Sequence, residues 1–370
     1  MISIDDALEK LLSSVRHRAT DYMELVSDKD HPFCDKSSMD GYAVASAHLA
    51  SPRKIIGTIY AGEDSSMYAM GPCECFKIMT GACIPRGADA IVPIEQCYID
   101  NDLMTPMTQV LPGNFVRKRG SHAKENEVLL PPHHSMNAPR LGLYAQVGQS
   151  LPMRAPLKII ICSTGNELSD QPSEFQIRDS NWHSLSYLLM RLGVTSTRGP
   201  ILPDNPFQIA SFINDQQYDV LITTGGVSAG DKDYLPRVLK EIGAEIIFHK
   251  INLKPGMPML AAKKNDKLIL GLPGNPVSSY VTSLIFLPPL LATLRGTTST
   301  IGWTRGVLDK DVNHNGNKEW VIPAFMNDGR LTPTKSLDSS DLVALARADA
   351  VLRISSSMKK GDDVYYQSIL

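Results

Sequence analysis

The spacing of apolar positions changes character several times along the chain, and each change predicts a different kind of element. Residues 4–16 place Ile4, Ala7, Leu8, Leu11 and Leu12 on one face, the spacing of an amphipathic helix. From 35 to 126 the pattern breaks into short β-rich runs, Ile55–Tyr60 and Ala90–Pro93 among them, punctuated by Gly, Pro and Asn-Asp. A small β-rich domain is expected there. Residues 127–152 return to helix-like spacing, which suggests a helical or mixed domain made of 1–34 and 127–155 and interrupted by the β-rich insertion. From 156 onward three continuous apolar runs, Leu157–Cys162, Asp219–Thr223 and Lys267–Leu272, each enter a polar or glycine-rich turn. Helical segments follow at 180–192, at 234–242 and from the Pro273-Gly274-Asn275-Pro276 turn to about 294. Buried strand, turn and helix in repetition predict an α/β domain over 156–296 on a mostly parallel sheet. The remainder, 297–370, alternates short strands and turns as a small β-barrel does. The fold class is therefore multidomain, α/β together with β. Such sheets bind ligands beyond the carboxyl ends of their strands, so the three turns should meet in space.

Composition narrows the partners. The chain has 370 residues, 43% hydrophobic and 21% charged, with a formal net charge of -2. At ~100–200 residues per domain, two to four domains are expected. Neither nucleic acid nor an anionic membrane is expected as a partner, because both favour a basic surface. An anionic small molecule must then be held by local donors. Met1-Ile2-Ser3-Ile4-Asp5-Asp6 lacks the basic start of a signal peptide, and no uninterrupted apolar run reaches the ~20 residues of a membrane span. A cytoplasmic location follows as the expectation. The cysteines at 34, 73, 75, 83, 97 and 162 match no common zinc spacing and are expected to be reduced thiols.

Five runs in the α/β region can carry chemistry. TTGGVSAGDKD, Thr223 to Asp233, delivers a buried strand into Gly225-Gly226, Ser228 and two aspartates. Glycines permit close backbone approach, exposed N–H groups favour anions, and Asp231 with Asp233 can hold magnesium. An aspartate-capped strand-to-helix turn reads the same way. KINLKPGMP, Lys250 to Pro258, sets Lys254 on a stiff Pro-Gly turn, and in an extended segment Lys250 would share its face. GLPGNPVSS, Gly271 to Ser279, offers a rigid turn built on Pro273 and Pro276, with Ser278 at a helix start where it can cap the helix or meet an anion. STGNEL places Glu167 as a metal ligand or as a first-turn acid. IRDSN places Asp179, Ser180 and Asn181 as caps or as contacts to a heterocycle edge. In the β-rich region, SSMDGYAV and IMTGACIPRGADAIVPIE put Asp40 and Thr80 in tight turns. His133-His134 lies in a Pro-rich loop and reads as surface. No HExxH, nucleophile elbow or Walker lysine is present.

In this order, SxMDGYA, MTGAxxPxGADAxVxxE, STGxEL, xIxDSN, TxGGVSxGxxD, KPGxP and GLPGNPVS, the chain resembles the molybdopterin molybdotransferases, called MoeA in bacteria and the E domain of gephyrin in animals. The match runs over nearly the whole chain. The resemblance implies four domains, the third an α/β domain like that of the molybdopterin adenylyltransferases (MogA-like), and an elongated homodimer. It implies insertion of molybdenum from molybdate into adenylylated molybdopterin with release of AMP and help from a divalent metal, magnesium. Other proteins of molybdenum-cofactor synthesis are implied as partners. Motif positions of functional interest fall on Asp40, Thr80, Arg117, Glu167, Asp204, Asp233, Lys250, Lys254, Pro273 and Pro276, with Ser228 and Ser278 as oxyanion donors. Magnesium would be held by Glu167, Asp204 and Asp233, while Gly225, Gly226, Asp179 and Asn181 would contact substrate. Departures are Ser121-His122 where the family usually has Glu-Asp, Met257 at the fourth position of KPGKP, Phe175 in place of a glycine, and a loosely matching Ser339-Ser340-Asp341-Leu342. Two other classes remain open: an adenylyltransferase or nucleotide pyrophosphatase, and a non-catalytic scaffold that binds molybdopterin.

Overall fold

A computed structural model describes residues 1–15, 23–48, 51–132, 136–150, 156–228, 230, 232–297, 299, 301–334 and 338–370. Asp231 and His133-His134 lie outside the described residues. The chain divides into two compact units, Met1–Ala19 with Arg154–Leu370, and Thr20–Met153.

In the first unit the apolar runs form strands β1 (Ile159–Ser163), β2 (Ser196–Arg198), β3 (Val220–Thr224), β4 (Glu245–His249), β5 (Leu253–Lys254), β6 (Leu260–Lys264) and β7 (Lys267–Leu272). All but β5 make a mixed sheet in the order β2-β1-β3-β7-β6-β4. The pairs up to β7 are parallel, and β6 pairs antiparallel with both β7 and β4. Helices α1 (Ile4–Ser14), α2 (Ser180–Arg191), α3 (Pro206–Asp215), α4 (Leu235–Glu241) and α5 (Pro276–Leu294) flank it. Only α3 has no counterpart in the apolar pattern read above. Helix α5 is long and apolar enough to cross a membrane by length and composition alone, and most of it is buried in the core.

Ser3 caps α1 by accepting from the Asp6 N–H at 3.0 Å, and Asp5 and Asp6 suit its positive N-terminal end. Its buried face, Ile4, Ala7 and Leu11, joins the core shared by β1, β3, β7 and α5. The α/β core thus buries the apolar stripe of the N-terminal helix.

Strands β8 (Thr304–Leu308), β9 (Glu319–Asn327), β10 (Arg330–Pro333), β11 (Ala350–Ile354) and β12 (Asp363–Ser368) run in the order β9-β10-β8-β12-β11. Pairing of β9 with β11 closes them into a five-stranded barrel around Leu308, Leu331, Leu352 and Val364. Strand β5 is not in the α/β sheet. It pairs in parallel with β9, so Leu253-Lys254 is an added edge strand of the barrel's sheet, with Pro255-Gly256 in the turn that follows.

The second unit carries a six-stranded sheet in the order Ala90–Pro93, Gly41–Val44, Glu74–Ile78, Arg53–Ile59, Leu103–Pro106, Cys97–Asp100. Smaller pairs join Lys36–Ser37 to Val116–Arg117 and Leu25–Val26 to Val128–Leu130. The helix Ala138–Gln146 packs Tyr144 near Leu25. Cys34 and Cys83 form a disulfide with Cα atoms 6.0 Å apart, which corrects the expectation of six free thiols. The cause is register: Lys36 bridges Cys83, and the Ile84 N–H donates to the Asp35 carbonyl, so the two cysteines face each other across 49 residues of sequence.

Candidate active site

The turns after β1, β3 and β7 do meet. Together with the Lys254–Pro258 segment and the near end of β9 they line one cavity of about 1080 Å³ in the first unit. Glu167, Asp204, Gly225, Gly226, Ser228, Asp233, Lys254, Pro273 and Ser278 all border it. Backbone geometry explains the glycines. Gly225 has φ +91, and a Cβ there would lie 2.6 Å from the Thr164 carbonyl oxygen. Only glycine lets the β3 turn pass this close to the β1 turn. Ser278 is 4% exposed and sits in the first turn of α5, whose N-cap Asn275 makes no side-chain cap bond. The N-terminal end of this long helix therefore favours an anion in the cavity.

A buried hydrogen-bond chain fixes the turns to one another. The Thr224 hydroxyl donates to Ser163 Oγ, and Ser163 donates to Asp179 Oδ2, both at 2.8 Å. Asp179 Oδ1 accepts from the Trp182 N–H and caps α2. Asn181 Nδ2 donates to the Gly274 carbonyl at 2.8 Å, tying α2 to the β7 turn. Asp179 and Asn181 are buried and do not border the cavity. Their buried side chains brace the wall through these bonds. Pro276 is also absent from the wall and occupies the first position of α5, where a missing N–H costs nothing. Lys250 does not border the cavity either. Its φ of +69 breaks the extended stretch, so alternation no longer puts it on the Lys254 face.

The remaining motif residues belong to the second unit. Asp40 Oδ1 accepts from both the Thr80 N–H and the Thr80 hydroxyl, each at 2.7 Å. The backbone N–H and then the hydroxyl hold the Asp40 carboxyl below its ordinary 3.8. Arg117 is exposed on its two-residue strand, paired with Lys36. The neighbouring turn is pinned by Arg119, whose Nε donates to Asp30 Oδ2 at 2.6 Å and whose backbone N–H donates to Asp35 Oδ1 at 2.8 Å.

Residues 2–148 match the family model for the MoeA N-terminal region (domain I and II), and 160–293 match that of a probable molybdopterin binding domain. A molybdopterin molybdenumtransferase of Synechococcus elongatus is 35% identical over 297 residues, 76% of this chain and 74% of that protein. One of Bacillus subtilis is 30% identical over 374 residues, 95% of this chain and 84% of that protein. The chain belongs to the molybdopterin molybdenumtransferase family. The fold agrees: a MoeA crystal structure from Pyrococcus horikoshii superposes with a TM-score of 0.77 at 23% identity, covering 100% of this chain and 99% of that one.

The molybdenumtransferase motifs account for most of the cavity but not all of it. Trp320, Lys318 and Ser339, from the barrel and its flanking segments, also border it. Ser339 Oγ accepts from Asn275 Nδ2 at 2.6 Å, and its carbonyl accepts from the Val277 N–H. Only the loose serine-rich match around Ser339 hinted at this in the sequence. For a divalent metal the donor chemistry fits in kind, since Glu167, Asp204 and Asp233 present carboxylate oxygens. It does not fit as a preformed three-carboxylate site: among the described residues no group of three His, Cys, Asp or Glu stands close enough to hold a metal. Asp233 Oδ2 accepts from the Gly230 N–H at 2.8 Å, which leaves its other oxygen open. Burial pushes the Cys162 and Cys75 thiols up to about 12 and the Cys97 thiol up to about 11, which keeps them protonated.

Proposed function

We propose that this chain inserts molybdenum from molybdate into adenylylated molybdopterin and releases AMP, as a molybdopterin molybdotransferase of molybdenum-cofactor synthesis. The observation that carries the reading is the convergence of Ser228, Lys254 and Ser278 on one cavity walled by Gly225-Gly226. Molybdate is a doubly charged tetrahedral oxyanion. The Lys254 ammonium supplies charge-assisted donation, the serine hydroxyls add directional donors, and the α5 N-terminus adds a favourable potential. The dithiolene sulfurs of the substrate make the new bonds to molybdenum. The protein's part is to bind, orient and hold both reactants, which lowers the entropic share of the barrier. Magnesium is the divalent ion this chemistry calls for, and it would stabilise negative charge on the adenylyl phosphate. Asp233, Glu167 and Asp204 are the carboxylates to hold it. Because they form no closed cluster, most of its ligands would come from phosphate oxygens and water, as is common for magnesium. The active protein is in this reading a cytoplasmic homodimer that meets other enzymes of the same pathway.

Molybdate-dependent AMP release from adenylylated molybdopterin tests the assignment. Lys254→Ala and Asp233→Ala should each lower the rate at least ~100-fold, in line with losing a charge-stabilising group, while circular dichroism and melting stay unchanged. Wild-type rates in both variants would overturn the site. Formation of adenylylated molybdopterin from molybdopterin and ATP would instead mark an adenylyltransferase.

A further inference from the structure

Lys254 has an aromatic partner that the chemistry above leaves unused. Its Nζ stands 5.0 Å from the centre of the Trp320 ring. The two residues are register partners on the parallel pair β5 and β9, and both border the cavity. Among the described residues no carboxylate forms an ion pair with Lys254. The choice of partner matters physically. An aspartate would neutralise the ammonium and compete with any arriving anion. An indole face attracts the cation through its quadrupole yet leaves the charge and the N–H donors uncompensated. A lysine side chain held in this way also loses less rotamer freedom when an anion binds.

The plate that holds it is itself fixed. The His314 ring lies 4.6 Å from that of Trp320, and His314 Nε2 is 2.7 Å from the Lys318 carbonyl oxygen. Trp320 pairs with Ile354 on the adjacent strand β11, and its neighbour Glu319 accepts from Arg353. Within the reading of Lys254 as the oxyanion-binding cation, we propose that Trp320 is its positioning residue. The indole holds the ammonium ready over the cavity and thereby sets the affinity for the oxyanion.

Calorimetric titration of the full chain with molybdate, and separately with AMP, tests this. Trp320→Leu should weaken molybdate binding about 3- to 10-fold, Trp320→Phe less than about 2-fold, and neither should change AMP binding by more than about 2-fold. In a Lys254→Ala background, Trp320→Leu should add no further loss, because the effect runs through the ammonium. Fluorinated tryptophans placed at 320 alone keep the shape and weaken the quadrupole, so molybdate affinity should fall stepwise with fluorination even if the leucine variant folds poorly. An equal loss in the Lys254→Ala background, a flat fluorination series, or a parallel loss of AMP binding would each overturn the proposal, the last by making the indole a direct contact for the heterocycle. Wild-type molybdate affinity in Lys254→Ala alone would sink the oxyanion assignment itself. A loss in Lys254→Ala with none in Trp320→Leu would sink only the role of Trp320.

Discussion

Asp40 holds both donors of Thr80 with one oxygen, and the two bonds are strongest while that carboxylate is ionised. The backbone N–H and hydroxyl of Thr80 stabilise the carboxylate, so the folded chain holds Asp40 below its ordinary 3.8. The sign follows: the tie is fully present above 3.8 and is lost as pH falls through the lower folded value. It is therefore constant across neutral pH, and any activity change between pH 6 and 9 must come from other groups. Carbon-13 titration of the Asp40 carboxyl should give a midpoint below 3.8, with the Thr80 amide proton moving in step. Asp40→Ala, which removes the acceptor, should speed exchange of the Thr80 amide by roughly tenfold, the equivalent of one ordinary hydrogen bond. A midpoint at or above 3.8 would mean that the pair does not exist in solution.

The Cys34–Cys83 disulfide staples the segment before Lys36–Ser37 to the loop that carries Thr80. Closing a loop of this length removes chain entropy worth about 4 kcal/mol in the simple polymer estimate, and measured values run about 2–4. Replacing both cysteines with serine should therefore lower the stability of the oxidised second unit by about 2–4 kcal/mol in urea, and a dithiol reductant should erase the difference from wild type. No gap between the two oxidised proteins would show that the bond does not form. Pairing across distant sequence is what the apolar pattern conveys least. The runs Asp219–Thr223 and Lys267–Leu272 announced β3 and β7 almost to the residue, because strands buried on both faces are continuously apolar. Their turns carried glycines and prolines for local backbone reasons, so the strand-end part of the site could be read from one dimension. The failures are non-local. Nothing in the stripe of α1 says which core will take it, and Lys250 and Lys254 shared a face only if the backbone stayed extended. Asp179 and Asn181 have the chemistry of ligands and the burial of braces. Trp320 stands beside Lys254 because β5 pairs with β9 of the barrel, and Ser339 reaches the cavity through its bonds to Asn275 and Val277, pairings that no local run announces.

Within the first unit the barrel, the N-terminal helix and the cavity wall are linked through one side chain. Arg353 on β11 donates through Nε to Glu319 on β9, and through both terminal nitrogens to Asp5 on α1, at 2.8 and 3.1 Å. Its guanidinium also lies 5.7 Å from the Trp303 ring. The two acids do not contribute equally. Asp5 has a side chain 70% exposed, so water screens that pair and it is worth little. Glu319 has a side chain only 15% exposed, and losing its partner would leave a carboxylate largely out of water. Partial exposure puts the expected cost of Arg353→Ala at about 1–3 kcal/mol in urea unfolding. Asp5→Ala should cost no more than about 0.5 kcal/mol, a value that shrinks further at high salt. The inequality is the informative part, because it separates a barrel clamp from a strap on the N-terminal helix. Glu319 precedes the indole beside Lys254, so a clamp acting on β9 predicts that Arg353→Ala also weakens molybdate binding by a few fold, whereas a strap on α1 predicts no such change. Lysine at 353 keeps the charge but not the fork that bonds Glu319 through two nitrogens, and should recover only part of either loss. Equal destabilisation by Arg353→Ala and Asp5→Ala, with molybdate binding untouched, would move the function of this arginine from the barrel to the helix.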